Sequence, residues 1–273
     1  MTLAISPSLL DDIIALARTA GDRILAIYES DFAVGRKDDD SPLTQADLAS
    51  HRAIVDGLAA IAPEIPVLSE EGAETPFATR GTWARYWLVD PLDGTKEFVK
   101  RNGEFTVNIA LVEHHVPVLG VVYAPALNTV YAGARGLGAL RILGKLREPL
   151  RTRASASRPT FVVTRSHRDA TLDALLAKLP AHEAVSRGSS LKFCLVAEGS
   201  ADLYPRTGPT SEWDTAAGQC VVECAGGEVL RLPELSPLRY NEKDSLLNPG
   251  FVVIGDPAAG WRERMQAARV APE

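Results

Sequence analysis

Residues 87–96, which read WLVDPLDGTK, carry the most information about the fold and the chemistry of this chain. The apolar run at their start indicates a buried strand, and Pro91 is expected to break that strand. Asp90 and Asp93 lie at the end of this strand, where two neighbouring carboxylates are unfavourable unless a cation lies between them. Mg²⁺ prefers oxygen ligands and often shares its coordination shell with substrate phosphates. The stretch therefore predicts a magnesium-dependent enzyme acting on a phosphate; the alternative is an acidic turn in solvent.

The composition is that of an ordinary globular protein of 273 residues, with 46% hydrophobic and 23% charged residues. The formal net charge of −6 argues against binding to long nucleic acids, which requires a basic surface. No stretch is long and apolar enough for a transmembrane segment. An anionic small molecule is still an acceptable substrate, because a bound divalent ion reverses the local charge balance.

The three cysteines, Cys194, Cys220 and Cys224, cannot all pair with one another, which favours a reduced, cytoplasmic protein. Residues 1–17 lack a basic region and contain an early acidic pair, so they are a poor signal peptide. The sequence leaves open a peripheral association with the inner membrane, and it leaves the oligomeric state unknown.

The pattern of secondary structure changes near the middle of the chain. Amphipathic helices are predicted over residues 11–28 and 45–61, followed by the strands of an antiparallel meander. Residues 147–159 show no strong periodicity, and beyond them strands and helices alternate, which indicates an α/β layer. We therefore predict a two-lobed α/β protein, with residues 1–150 as an N-terminal α+β lobe and residues 151–273 as a C-terminal α/β lobe.

Four acidic features fall where predicted strands end or predicted helices begin: Glu70, the Asp90/Asp93 pair, Asp214 and Asp47. Each has an ordinary explanation when it is taken alone. Glu70 could belong to a solvated loop and Asp214 could be an N-cap, while Asp47 could be a first-turn acid favoured by the helix dipole. Only their combination points to a common site.

In combination, these motifs resemble the lithium-sensitive, magnesium-dependent phosphatase superfamily that includes inositol monophosphatase. Its signature is a strand ending in DPLDGT, an upstream Glu-Glu pair and a downstream Trp-Asp before a helix of small residues, and all three occur here in order. Residues 90–112, 188–199, 203–217 and 247–251 are similar to the bacterial 3′(2′),5′-bisphosphate nucleotidases of that superfamily. The resemblance implies a sugar-phosphatase-like αβαβα sandwich with the active site in the cleft between two lobes.

The resemblance also implies a metal centre built from both halves of the chain. Glu70, Asp90 and the Leu92 carbonyl would hold one Mg²⁺, while Asp90, Asp93 and Asp214 would hold a second. A third ion would be held more loosely near Glu70. Paired metal ions can activate a water and stabilise the leaving oxygen of an in-line phosphoryl displacement.

The implied catalytic residues are Glu70, Thr95 and Asp47. Thr95, hydrogen-bonded to Asp47, would orient the attacking water together with Glu70, because a threonine hydroxyl is a poor base without a carboxylate partner. Gly94 would allow the backbone to approach the phosphate closely.

The implied contacts to the substrate extend from this loop into the second half of the chain. Ser190 and Lys192 at a predicted helix start, with Arg206 after a predicted strand, suit a second phosphate. The full predicted set is Glu70, Leu92, Asp93, Gly94, Thr95, Ser190, Lys192, Arg206 and Asp214.

The resemblance implies hydrolysis of the 3′-phosphate of adenosine 3′,5′-bisphosphate, giving AMP and phosphate, with inhibition by lithium. This nucleotide belongs to sulfur metabolism, where it remains after sulfate is transferred or reduced from its sulfated derivative. Two alternatives stay open. The chain could be an inositol monophosphatase-like or fructose-bisphosphatase-like phosphatase, or a non-catalytic metal or nucleotide sensor that keeps the fold.

Overall fold

The computed structural model describes residues 3–30, 42–164 and 170–268, which contain eight α-helices and two β-sheets. The helices are α1 (Pro7–Tyr28), α2 (Pro42–Ile61), α3 (Phe77–Arg80), α4 (Thr95–Val99), α5 (Ala170–Lys178), α6 (Leu191–Ala197), α7 (Ala216–Ala225) and α8 (Trp261–Ala267). The strands are β1 (Val67–Ser69), β2 (Arg85–Asp93), β3 (Thr106–Glu113), β4 (Val116–Ala124), β5 (Thr129–Ala134), β6 (Gly138–Leu143), β7 (Leu146–Leu150), β8 (Thr160–Val163), β9 (Glu183–Ser186), β10 (Leu203–Arg206), β11 (Glu228–Arg231) and β12 (Phe251–Ile254). None of these helices is both long enough and apolar enough to cross a lipid bilayer.

The first sheet is the predicted meander, with strands in the order β1-β2-β3-β4-β5-β6-β7. Strands β2 to β7 pair antiparallel with their neighbours, while β1 runs parallel to β2 at one edge. The parallel pairing aligns Ser69 with Val89. The ends of β1 and β2, which carry the predicted acids, therefore lie side by side.

Two details of this sheet differ from the prediction. Strand β2 does not end at Pro91 but continues to Asp93, with a register shift between Asp90 and Asp93. The proline is tolerated because it lies in that irregular stretch, where the ladder does not require its missing N–H. Residues 146–150 form the edge strand β7, which the sequence did not reveal because most of its residues are exposed and show no apolar alternation.

The second sheet has the order β11-β12-β10-β8-β9. Strands β8, β9 and β10 are parallel, whereas β12 is antiparallel to both β10 and β11. Strand β9 was not predicted, and its exposed position at the edge explains its weak apolar signal. The alternation of strands and helices in this half is confirmed.

The layers form an αβαβα sandwich, which confirms the predicted fold class. Helices α1 and α2 cover one face of the first sheet, and α6 and α7 lie between the two sheets. Helices α5 and α8 cover the outer face of the second sheet. The side chains alternate accordingly: Trp87 and Val89 of β2 face α1 and α2, whereas Tyr86 and Leu88 belong to the central core.

The central core contains side chains from both sheets, so the two halves of the chain share one hydrophobic cluster around α6 and α7. Each sheet nevertheless lies wholly on one side of residue 150. The division into lobes 1–150 and 151–273 stays a prediction.

Candidate active site

Asp90 lies at the centre of a cluster of acidic residues. Its side chain is buried at the end of β2, and burial raises its pKa well above the ordinary aspartate value. The carboxylates of Asp93, Glu70, Asp214 and Asp47 raise this pKa further, in that order. Acids from four separate parts of the chain therefore act on one another here.

Local hydrogen bonds fix the ends of β1 and β2 at this site. The Leu92 N–H donates to Asp90 Oδ1 at 3.1 Å, and the Glu70 N–H donates to the Val89 carbonyl at 3.1 Å. Helix α2 supports both ends, because Ser50 Oγ donates to the Pro91 carbonyl at 2.8 Å and His51 Nδ1 lies 2.9 Å from Ser69 Oγ. Helix α2 also carries Asp47, which is buried.

Asp93 is held by side chains from two other elements. Its Oδ2 atom accepts hydrogen bonds from Ser189 Oγ at 2.7 Å and from Ser190 Oγ at 2.9 Å. Asn108 Nδ2 of β3 lies 3.4 Å from the same oxygen. The predicted metal loop is thus tied to the turn that precedes α6.

Asp214 reaches the cluster from a 3₁₀ turn, Glu212–Asp214, just before α7. Its carboxylate accepts from the Ser211 N–H at 2.9 Å as the third residue of a capping box, so Ser211 and not Asp214 is the N-cap of this turn. Burial raises the pKa of Asp214, and Asp93 raises it further. The Asp214 carbonyl accepts from Ser190 Oγ at 2.8 Å, so one serine links Asp93 to Asp214.

The chemistry of this cluster fits a hard divalent cation. All the donors are carboxylate or carbonyl oxygens, and the raised pKa of Asp90 shows that the buried negative charges oppose one another. In the described ranges, however, no three His, Cys, Asp or Glu side chains are already arranged as a metal cage. Glu70, Asp90, the Leu92 carbonyl, Asp93 and Asp214 are the groups that would hold Mg²⁺.

A cavity of about 300 Å³ is lined by two of these acids, Asp93 and Asp214. Its lining includes Asp93, Gly94, Thr95 and Asp214, which we call the acidic end, and Lys192 and Arg206 with Tyr204, which we call the cationic end. It therefore joins an acidic end, suited to metal ions, to a cationic end.

The cationic end is built from groups that the backbone already holds in place. Arg206 donates through Nε to the Gly208 carbonyl at 3.1 Å and through Nη2 to the Pro209 carbonyl at 3.0 Å. Lys192 Nζ donates to the Ser189 carbonyl at 2.7 Å and lies 5.8 Å from the centre of the Tyr204 ring. Burial lowers the pKa of Lys192, whereas Asp93 raises it. A bound anion would favour the charged form of this lysine.

The turn between β2 and α4 lines the same cavity. Gly94 has a φ of 93°, which L-residues rarely adopt, and a Cβ atom there would lie 3.1 Å from Ser189 Cβ. Thr95 is the first residue of α4 and faces the cavity. The hydrogen bond between Thr95 and Asp47, and the catalytic roles of both residues, stay predictions.

The sequence analysis overlooked several polar residues that support this site. They are Glu104, Thr106 and Asn108, at and just before the start of β3. A signal was present, because polar residues alternate with Phe105 and Val107 in an otherwise apolar run. This alternation places the polar side chains on one face of the strand, toward the second sheet.

Comparison with known proteins agrees with this architecture. The model of the inositol monophosphatase family matches residues 8–261. This chain therefore belongs to the inositol monophosphatase family, whose members are metal-dependent phosphatases that typically use Mg²⁺.

The similar proteins include a particular group of nucleotidases. The chain is 53% identical over 247 residues to the 3′(2′),5′-bisphosphate nucleotidase CysQ of Shigella flexneri, covering 90% of this chain and 99% of that protein. The protein of the same name from Escherichia coli K12 is 52% identical with the same coverage. The crystal structure of CysQ from Bacteroides thetaiotaomicron superposes with a TM-score of 0.84 at 44% identity, covering 91% of this chain and 97% of that one.

Proposed function

We propose that this chain is a 3′(2′),5′-bisphosphate nucleotidase that hydrolyses the 3′-phosphate of adenosine 3′,5′-bisphosphate to give AMP and phosphate. The observation that carries this proposal is the cavity, which joins an acidic end at Asp93 and Asp214 to a cationic end at Lys192 and Arg206. A substrate with two phosphates would fill both ends. The high identity to proteins named bisphosphate nucleotidases supports the same substrate class.

The acidic end would bind the scissile phosphate together with two Mg²⁺ ions, with a third held more loosely near Glu70. When bound, these ions would supply an activated water and neutralise charge on the phosphate. Glu70, Asp90, the Leu92 carbonyl, Asp93 and Asp214 would hold the ions. The ions would thus allow a phosphate to bind beside buried carboxylates that would otherwise repel it.

Three residues would govern the attacking water. Glu70 and Thr95 would orient it. Asp47 would accept a hydrogen bond from the Thr95 hydroxyl and so direct the threonine lone pairs toward the water. Gly94 would allow the backbone N–H groups at the start of α4 to approach the phosphate oxygens.

The cationic end would hold the phosphate that is not cleaved. Lys192 supplies a compact charge, and Arg206 supplies a guanidinium that the Gly208 and Pro209 carbonyls keep in place. Ser190 would complete the predicted contacts to the substrate. These groups would select for a second phosphate rather than drive the chemistry.

A substrate panel tests this proposal. The purified chain with Mg²⁺ is assayed for phosphate release from adenosine 3′,5′-bisphosphate, inositol 1-phosphate and fructose 1,6-bisphosphate. We expect the highest kcat/KM with the adenosine bisphosphate. A preference of about tenfold or more for either sugar phosphate, equivalent to about 1.4 kcal/mol, would assign the chain to another branch of the family. Binding of the nucleotide without turnover would favour a sensor.

A further inference from the structure

Three polar residues, one just before β3 and two at its start, form hydrogen bonds with the turn that precedes α6. Glu104, Thr106 and Asn108 are spaced two residues apart, so their side chains lie on one face of the strand. We name these three residues the β3 row. Thr106 and Asn108 are buried, and Glu104 is nearly so. Such a row in the interior requires partners, and each of its residues contacts the turn that precedes α6 in the second half of the chain.

The first contact of the β3 row anchors the turn. The Gly188 N–H donates to Glu104 Oε2 at 2.8 Å, and Arg187 Nη1 donates to Glu104 Oε1 at 3.2 Å. The next residue, Ser189, has a φ of 55°, a left-handed conformation that its surroundings must maintain. Glu104 therefore sets the backbone position from which the serine hydroxyls project.

The other two contacts reach Asp93 through the serines. Thr106 Oγ1 is hydrogen-bonded to Ser189 Oγ, and Asn108 Nδ2 donates to Ser190 Oγ at 2.9 Å. Ser189 Oγ in turn donates to Asp93 Oδ2 at 2.7 Å. Thr106 Oγ1 also lies 3.1 Å from Asn108 Oδ1, an oxygen to which the hydroxyl can only donate. These contacts therefore form a connected path from β3 to Asp93.

The two carboxylate oxygens of Asp93 have different surroundings in this arrangement. Oδ2 accepts from Ser189 at 2.7 Å and lies within reach of Asn108, and Ser190 shares its single hydroxyl proton between this oxygen and the Asp214 carbonyl. Oδ1 is then the oxygen left for a cation. Ser190 Oγ also bonds to the Asp214 carbonyl, which couples the second predicted ligand to the same arrangement.

We propose that Thr106 and Asn108 are positioning residues for the metal centre, which act through Ser189 and Ser190 to fix Asp93 as a one-oxygen ligand. The inference rests on the metal-ligand role of Asp93 in the proposed function. In this role, the Ser190 hydroxyl helps to hold the predicted metal ligands Asp93 and Asp214 in place. Loss of the β3 row would weaken the binding of divalent metal, because ligand carboxylates depend on such outer hydrogen bonds for their orientation.

Metal binding to the purified full chain, without substrate, tests the proposal. Mn²⁺ is titrated and its free fraction is followed by electron paramagnetic resonance, with a thermal melt of each variant. Thr106→Val removes the hydroxyl at nearly constant volume and should weaken Mn²⁺ binding by about fivefold, the effect of one hydrogen bond. Asn108→Ala removes two donors and should weaken it by more than about tenfold. Both variants should recover a near-parental kcat at saturating metal.

Two controls separate positioning from a general loss of structure. Thr106→Ser restores the hydroxyl and should return the Mn²⁺ affinity to within about twofold of the parent. Thr129→Val removes another buried hydroxyl of the same sheet, one that donates to the Leu127 carbonyl, and should leave the Mn²⁺ affinity unchanged.

The possible outcomes distinguish this inference from the proposed function. Parental Mn²⁺ affinity in both Thr106→Val and Asn108→Ala would overturn the inference, and so would an equal loss in Thr129→Val. Failure of the parent chain to bind Mn²⁺ would overturn it as well. Metal affinity that depends on Thr106 in a chain that does not hydrolyse the bisphosphate would support the inference and refute the proposed substrate.

Discussion

At the scale of single residues, the site is a set of charges that oppose one another in the folded chain. Burial and the neighbouring carboxylates raise the pKa of Asp90, and burial and Asp93 raise that of Asp214. Lys192 is the nearby cation that opposes this effect at Asp214. Without metal, such a cluster lowers the stability of the fold, as is common where side chains are arranged for function.

Asp93→Asn tests this conflict between stability and activity. We expect kcat to fall by roughly 100-fold or more, because a metal ligand worth several kcal/mol is lost. The melting temperature without Mg²⁺ should stay the same or rise, since the substitution removes a charge that raises the pKa of Asp90. Asp11→Asn, which changes an exposed aspartate, is the matched control. A parental turnover rate for Asp93→Asn would contradict the assigned role.

Lys192→Ala tests the cationic end of the cavity. A charge-assisted hydrogen bond contributes about 1.5–3 kcal/mol, so KM for the adenosine bisphosphate should rise by about tenfold or more. Activity on a nucleoside 3′-monophosphate should change by no more than about twofold, because that substrate lacks the second phosphate. Steady-state kinetics on both substrates provide the comparison, with the exposed Lys145→Ala as the control. Equal losses on both substrates would place Lys192 at the scissile phosphate instead.

At the scale of elements, α7 brings Asp214 to the site because two glycines of the first sheet allow the helix to approach closely. A Cβ atom at Gly120 would lie 2.5 Å from the Ala217 carbonyl oxygen, and one at Gly133 would lie 3.0 Å from Cys224 Cβ. Nothing in the sequence revealed this packing, since a glycine within a strand pattern is also consistent with a bulge.

Gly120→Ala should therefore destabilise the protein and displace α7. Overpacking of this kind costs about 1–3 kcal/mol, and the activity should fall together with the melting temperature. Gly255→Ala is a milder comparison, because its new Cβ would lie 3.3 Å from the Asp202 carbonyl oxygen. Thermal melts and activity assays compare the stability and turnover of Gly120→Ala with those of Gly255→Ala. Equal stability of Gly120→Ala and the parent would show that α7 is not held at the distance described.

Asp202 is a second structural feature at this scale, because it ties the segment between the two sheets to β8. It accepts from Arg153 Nη2 at 2.6 Å and from the Thr160 N–H at 2.7 Å. Burial alone would raise its pKa, but these bonds lower it below the ordinary value. A lowered pKa stabilises the fold above the unfolded-state pKa, and this contribution is lost as the pH falls through the folded-state value.

Asp202→Asn should therefore reduce stability at neutral pH and flatten the acid side of the stability profile. The difference from the parent should be constant above about pH 5 and should shrink below about pH 4. Urea unfolding at a series of pH values measures this difference. A difference that grows toward acid would have the wrong sign for this account.

At the scale of the whole molecule, the sequence predicted the family and the layered fold because the DPLDGT loop and its partners are specific, and both are confirmed. The edge strands β7 and β9 were missed since short strands that are mostly exposed lack a clear apolar pattern. The β3 row was also missed, because its partners, Gly188, Ser189 and Ser190, are about 80 residues away in sequence and only the fold brings them together. The roles of the individual site residues stay predictions.

Binding of metal should stabilise the whole molecule. Mg²⁺ neutralises the buried acids only in the folded state, so the melting temperature should rise with Mg²⁺ concentration and then saturate. Lithium should inhibit turnover, because a small monovalent ion occupies a magnesium position without supplying its charge. Thermal melts over a Mg²⁺ series, and activity over a Li⁺ series with Na⁺ as the control, measure these effects. Full activity in high lithium would contradict a metal cycle of the family type.

The most direct test of the central claim is a crystal structure grown with Mn²⁺ and AMP, with the ions located by anomalous scattering. We predict manganese peaks bounded by oxygens of Glu70, Asp90, Asp93 and Asp214, with the product phosphate in the cavity between them and Lys192. Peaks elsewhere, or an Asp214 carboxylate turned away from the other three acids, would contradict the claim that the two halves of the chain together bind the metal ions.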